Sequence, residues 1–277
     1  MHMTYPASEY AIGILDSGVG GLTVAKEVMR QLPRETIYYF GDTKRCPYGP
    51  RSEKEVRQFT FEIVNFLLQF PLKAILIACN TATAAALNAV KERVGIPVLG
   101  VIEPGARAAI KASRQNRIGV IGTQGTIQSK AYEKALQRIH PDITVYSLAC
   151  PAFVPLVESG YRHTRVAEEV VAETLKPFQA VQLDTLILGC THYPLLYEPI
   201  AKVMGKEVAI ISSAEETAVE LSTILQHKNL LSGKEKTAHC FFTTGEADSF
   251  ARIAEDWLGR PVRVETVELT PVEKLTG

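Results

Sequence analysis

The sequence predicts an α/β protein built as two similar domains, each a mostly parallel sheet flanked by helices. Three observations carry this. Short unbroken apolar runs alternate with helix-like segments along the chain, the βαβ pattern of a parallel sheet covered on both faces. The pattern then repeats roughly 110 residues later, so that Ile12-Gly13-Ile14 matches Ile118-Gly119-Val120 and Val98-Leu99-Gly100-Val101 matches Val208-Ala209-Ile210-Ile211. Two of the runs, Ala74 to Ala78 and Thr185 to Gly189, end on matched cysteines, Cys79 and Cys190.

Each element has its own reason. Tyr10–Leu15 reads as a strand, and Asp16-Ser17-Gly18-Val19-Gly20-Gly21 as the turn after it. A helix over about Leu22–Gln31 breaks before Pro33. Ile37–Phe40 is the next strand, and Pro47-Tyr48-Gly49-Pro50 has turn chemistry. Ser52 with Glu55 three residues on forms a capping box that opens a helix to about Phe70. The Cys79 strand leads into an Ala-rich helix, Thr81–Arg93, and Ile96–Val101 is a fourth strand. Tyr38-Tyr39-Phe40 finds its counterpart in Val145–Leu148. The repeat is complete by about Ser213. A helix over about Glu215–His227, a strand over 238–243, a helix over Glu246–Leu258 and a strand over Val262–Val267 remain to be placed. Any α/β chain yields βα pairs at similar spacing; here the order and the end residues match as well.

Composition bounds the function. The chain has 277 residues, 46% hydrophobic and 22% charged, enough for a sizeable core. A formal net charge of zero gives no electrostatic case for nucleic acid or an acidic membrane. No apolar run reaches the length needed to span a bilayer, and no secretory signal is visible. Met1-His2-Met3 reads as a cloning remnant before a natural start at Met3. The five cysteines are an odd number, widely spread, and read as reduced thiols in a cytoplasm.

The paired cysteines define the chemistry. Ligands of open α/β sheets bind beyond the carboxyl ends of the strands. Two domains with pseudo-twofold symmetry would place equivalent residues on either side of one cleft. Two thiols on opposite faces of one carbon can act as base and acid, inverting a stereocentre without an energy source. Both cysteines are expected at strand-to-helix turns, where helix N–H groups favour a thiolate. Asn80-Thr81 and Thr191-His192 offer polar groups for a carboxylate and an amino group. A lone cysteine at a strand end is usually core; Cys46, Cys150 and Cys240, which lack matched partners, are read that way. The glycines after Asp16 carry neither a Rossmann fingerprint nor a P-loop lysine.

Asp16-Ser17-Gly18-Val19-Gly20-Gly21, Pro47-Tyr48-Gly49, Cys79-Asn80-Thr81-Ala82 and Gly189-Cys190-Thr191-His192-Tyr193-Pro194 together resemble the motifs of the bacterial glutamate racemases, across essentially the whole chain. The wider superfamily includes aspartate and hydantoin racemases. His192 resembles the glutamate enzymes, since the aspartate enzymes tend to carry Glu there. The resemblance implies interconversion of L- and D-glutamate with no cofactor and no metal, supplying D-glutamate for peptidoglycan. It implies that Cys79 acts on D-glutamate and Cys190 on L-glutamate. Asp16 and His192 would be auxiliary acid–base or orienting groups, and Glu158 a further assisting carboxylate. Ser17, Tyr48, Gly49, Asn80, Thr81 and Thr191 would bind substrate together with Asp16 and His192, and Thr123 and Thr126 would add contacts from the second domain. It implies domains of residues 1–102 plus 213–277 and 103–212, with hinges near Ile102 and Ser212, and a homodimer.

On the residues alone, other readings stand. Asp16 is an equally good Asx-turn or N-cap residue. His192 could cap a helix, and Glu158 could be a surface helix residue. The scaffold could serve an aspartate or hydantoin racemase, or a decarboxylase, although a decarboxylase needs one thiol. It could also be a bilobal binding protein, which has no reason to pair thiols.

Overall fold

The structure, a computed structural model, describes residues 6–271 apart from 234, 236 and 237. The expected natural start at Met3 lies outside the described residues. The chain forms two compact units. One comprises the chain up to Val101 together with Ala214 onward, the other Ile102–Ser213.

In the first unit, β1 (Ala11–Asp16) is wholly buried and leads through the Ser17–Gly21 turn into α1 (Leu22–Gln31). Then follow β2 (Ile37–Gly41), α2 (Glu53–Leu67), β3 (Leu72–Ile77), α3 (Asn80–Arg93) and β4 (Val98–Gly100). The capping box forms: Ser52 Oγ accepts from the Glu55 N–H and the Glu55 carboxylate from the Ser52 N–H. Helix α2 stops at Leu67, short of Phe70.

The second unit opens with α4 (Ile102–Ala112) and β5 (Arg117–Gly122). It continues through α5 (Gln124–Gln128), α6 (Ala131–Ile139), β6 (Thr144–Ala149), α7 (Phe153–Glu158), α8 (Arg165–Gln179), β7 (Thr185–Gly189), α9 (Tyr197–Met204) and β8 (Ala209–Ser212). The chain then returns to the first unit with α10 (Ser213–His227), β9 (Cys240–Thr243), α11 (Ala247–Leu258) and β10 (Val264–Thr266).

The first sheet runs β10-β9-β2-β1-β3-β4 and the second β6-β5-β7-β8, with every pairing parallel. Strand for strand, β2-β1-β3-β4 and β6-β5-β7-β8 share one order. The registers agree too: Leu15 pairs with Ile77 near the end of β1, and Ile121 with Leu188 near the end of β5. The first unit differs by its added strands, β9 and β10.

Two features tie the returning segment down. Phe242 of β9 meets Phe66 at 5.1 Å and Phe70 at 5.4 Å between ring centroids. Aromatic pairs of this kind contribute about 0.5–1.5 kcal/mol each beyond the area they bury. At the opposite ends of the strands, Lys73 of β3 is buried in an ion pair with Glu35. Its ammonium also donates to the carbonyls of Ser8 (2.6 Å) and Leu230 (2.8 Å), while Glu35 accepts from the Ser232 N–H at 2.8 Å. A buried charge is tolerable only with its donors and acceptors satisfied in this way.

Candidate active site

In the first unit, the carboxyl ends of β1, β2 and β3 gather one set of polar groups. Cys79 is the N-cap of α3, and its sulfur accepts the Ala82 N–H at 3.4 Å. The free N–H groups of a helix's first turn and its dipole favour negative charge there. The Cys79 thiol lies 3.7 Å from Ser17 Oγ, and both residues are nearly buried. Asp16 is fully buried, and its Oδ2 accepts the Gly18 N–H at 3.0 Å. Asn80 and Thr81 occupy the first turn of α3 and are buried.

Tyr48 and Gly49 are buried in the loop after β2. The Tyr48 hydroxyl donates to Asp42 Oδ2 at 2.5 Å. Burial, followed by the charge of Asp42, pushes the Tyr48 phenol well above its ordinary value. Asp42 also accepts from Arg45 Nε at 2.6 Å and from Thr244 Oγ1 at 2.7 Å, and Arg45 reaches on to Glu62. Asp42 and this network escaped the sequence reading. The signal was available, because Asp42 stands at the end of β2 as Asp16 does at the end of β1.

In the second unit, Cys190 follows β7 and is nearly buried. Its sulfur lies 3.8 Å from His192 Nδ1, and His192 Nε2 lies 2.9 Å from Glu158 Oε1. Glu158 ends α7, and its side chain is 36% exposed while that of His192 is buried. Burial pulls the His192 pKa down, but its hydrogen bonds and charge interactions with Cys190 and Glu158 prevail and push it up to about 10. His192 is therefore an imidazolium at neutral pH, a cation held against the Cys190 sulfur.

Thr191 and Thr126 are buried. Thr123 caps α5, accepting the Thr126 N–H at 3.3 Å, and the two hydroxyls lie 3.1 Å apart. Thr123 follows Gly122, which pairs with Gly189 just before Cys190, so it stands at the neighbouring strand end. Cys150, read from the sequence as structural, is fully buried; burial and then its neighbour Cys190 push its thiol up to about 12. Its carbonyl accepts the Tyr193 hydroxyl at 2.8 Å.

One expectation fails. Cys190 does not cap an α-helix. A turn and a short 3-10 segment, Tyr193–Leu196, follow it, and α9 begins only at Tyr197. Pro194 brings no N–H to that segment, and Leu196 (φ −106°, ψ 20°) leaves the helical region. The positive group beside Cys190 is an imidazolium rather than a helix N-terminus, so the two thiols have unlike surroundings.

Among the described residues, no three His, Cys, Asp or Glu side chains are grouped to hold a metal ion.

Two all-parallel sheets of matching order, each with a buried cysteine just past its third strand, form the frame of an isomerase of the racemase class. The chain belongs to the Asp/Glu/hydantoin racemase family, whose model matches residues 12–221. It is 54% identical over 265 residues to a protein of Exiguobacterium sibiricum named glutamate racemase, covering 95% of this chain and 98% of that one. The crystal structure of a glutamate racemase isoform from Bacillus anthracis is 57% identical, with a TM-score of 0.93 over 96% of this chain and 100% of that one. That of a Francisella tularensis glutamate racemase in complex with D-glutamate is 36% identical, with a TM-score of 0.89 over 94% and 98% of the two chains.

Proposed function

We propose that this protein is a glutamate racemase that interconverts L- and D-glutamate by a two-thiol proton transfer, without a cofactor. The observation that carries the reading is the matched pair of buried strand-end thiols, Cys79 and Cys190, after the third strand of each four-strand pattern. In this reading Cys79, as thiolate, takes the α-proton of D-glutamate, and the Cys190 thiol returns a proton to the opposite face. For L-glutamate the roles exchange. One C–H bond breaks and one forms in each turnover, and the two sulfurs end with their protonation states exchanged.

The α-proton of an amino acid is far less acidic than a thiol, so the surroundings must lower the barrier. Preorganised donors and exclusion of water supply this in the reading. The imidazolium of His192 would stabilise the Cys190 thiolate, with Glu158 holding the ring in place. Asp16 would be the auxiliary acid–base or orienting group near Cys79, where Ser17 already touches the sulfur. Ser17, Tyr48, Gly49, Asn80, Thr81, Thr123, Thr126 and Thr191 would hold the carboxylates and the ammonium of the substrate. The domains would be residues 1–102 plus 213–277 and 103–212. Relatives named glutamate racemase at 54–57% identity support glutamate rather than aspartate as substrate. The D-glutamate would serve peptidoglycan synthesis, in the cytoplasm and as a homodimer.

The test follows L-glutamate in D2O without pyridoxal phosphate, reading optical rotation and the α-proton signal together. Rotation should decay to zero while deuterium enters the α-carbon, and L-aspartate run alongside should stay unchanged. Cys79→Ser and Cys190→Ser should each abolish turnover and spare much of the binding. No exchange of the α-proton by folded, reduced protein would overturn the assignment and favour the binding-protein reading.

A further inference from the structure

Tyr39 lies on β2, one strand away from β1, and its side chain is wholly buried. Its ring packs against Phe241 of β9 and Phe250 of α11, with centroids 6.2 and 5.9 Å away. A phenylalanine would fill that space equally well. The hydroxyl is nevertheless present, and it donates to the Gly18 carbonyl at 2.8 Å.

Gly18 is the residue whose N–H holds Asp16 Oδ2 at 3.0 Å. The turn is therefore gripped at both ends of one residue, by Asp16 at the N–H and by Tyr39 at the carbonyl. Gly21 closes the third side. A Cβ there would stand 2.6 Å from Asp16 Cβ and 2.8 Å from the Tyr39 hydroxyl oxygen, so only a glycine lets the two side chains meet over the start of α1. Ser17, between Asp16 and Gly18, carries the hydroxyl that lies 3.7 Å from the Cys79 sulfur.

We infer that Tyr39 is a positioning residue for the Cys79 half of the reaction, fixing the turn that presents Asp16 and Ser17 beside that thiol. The inference rests on the two-thiol reading above. Burial, and then the nearby Asp16 and Cys79, push the phenol well above its ordinary value. The hydroxyl stays protonated, a constant donor through any working pH. A buried carbonyl that loses its donor draws the local backbone into a new arrangement. Asp16 and Ser17 then move with it, and misplacement of about 1 Å can cost on the order of 100-fold in rate.

The variant Tyr39→Phe removes one oxygen and keeps the ring. The measurement uses α-deuterated D- and L-glutamate in ordinary water, and reads the primary isotope effect in each direction beside kcat. The enantiomers are equal in energy, so kcat/KM must be equal in both directions for any variant. The isotope effects carry the asymmetry instead. If Tyr39 serves the Cys79 side, proton transfer at Cys79 becomes rate-limiting. The isotope effect then rises with deuterated D-glutamate and falls toward one with deuterated L-glutamate, with kcat down about 10- to 100-fold. A drop in kcat or in melting temperature that leaves both isotope effects at their wild-type values overturns the inference. Gly21→Ala disturbs the same grip from the other side and should give the same asymmetry; if Tyr39→Phe does not fold, wild-type isotope effects in Gly21→Ala overturn it instead. Wild-type protein that fails to exchange the α-proton at all defeats the racemase reading itself, a result distinct from the other two.

Discussion

Replacing Glu158 by Gln removes one negative charge and keeps an oxygen that can accept from His192 Nε2. The pair is 2.9 Å apart. At that distance the Coulomb energy runs from about 1.4 kcal/mol at the dielectric of water to about 6 kcal/mol at an effective value of 20. The Glu158 side chain is 36% exposed, so solvent screening selects the lower part of the range, about 2 kcal/mol. That equals a fall of about 1.5 in the His192 pKa, from about 10 toward about 8.5.

The sign for stability follows from the raised pKa. Above the unfolded value near 6.5, the folded protein keeps a proton on His192 that the unfolded chain releases. The stabilisation is complete below that pH and disappears as the pH rises through about 10. Glu158→Gln should therefore be about 2 kcal/mol less stable than wild type at pH 7, with the deficit shrinking below about 0.5 kcal/mol at pH 10. Histidine NMR, assigned with His192→Gln, measures the first quantity, and urea unfolding at the two pH values measures the second. A His192 titration unmoved by the substitution, or a deficit constant between pH 7 and pH 10, would refute the reasoning.

Further tests address the frame that carries the site. Lys73→Met strands the Glu35 carboxylate in the core and should cost about 3–5 kcal/mol in urea unfolding, with much of the loss recovered in the double variant Lys73→Met/Glu35→Leu. Ser52→Ala removes the cap of α2 and should lower Tm by about 2–4 °C in calorimetry, without changing the isotope effects of the reaction. His239 has its pKa lowered to about 4, by burial and then by Arg260, and its Nδ1 accepts the Ile37 N–H. The unfolded chain takes up that proton first, so His239 supports the fold above about pH 6.5 and withdraws that support as the pH falls toward 4. His239→Gln should flatten the pH dependence of urea stability across this window.

Local chemistry made much of the molecule legible in advance. Short apolar runs flanked by turn residues identify buried strands because they are too short for a buried helix. The capping box and the helix over Leu22–Gln31 are set by contacts within a few residues, and both formed. The internal repeat, read from spacing, order and end residues, corresponds to two sheets of one strand order. The matched thiols were visible for the same reason, since a strand end and the residue after it are neighbours in sequence.

Only the tertiary structure decided what depends on contacts between distant residues. Glu158 could not be told from a surface residue until α7 brought it against His192, 34 residues away. Thr244 meets Asp42 across 202 positions, through a strand added in parallel beside β2. Tyr39 read as one more apolar strand residue; the hydroxyl's partner, 21 residues back, gave it a role. The missing helix after Cys190 belongs here too, because an imidazolium held by a remote carboxylate took the place of a helix N-terminus. Sequence alone determined where the strands and the capped helices of the first unit form and which strand ends carry thiols, because hydrophobic period and capping act over a few residues. The electrostatic surroundings of each thiol were settled by folding, because charge and burial act through space between groups far apart along the chain.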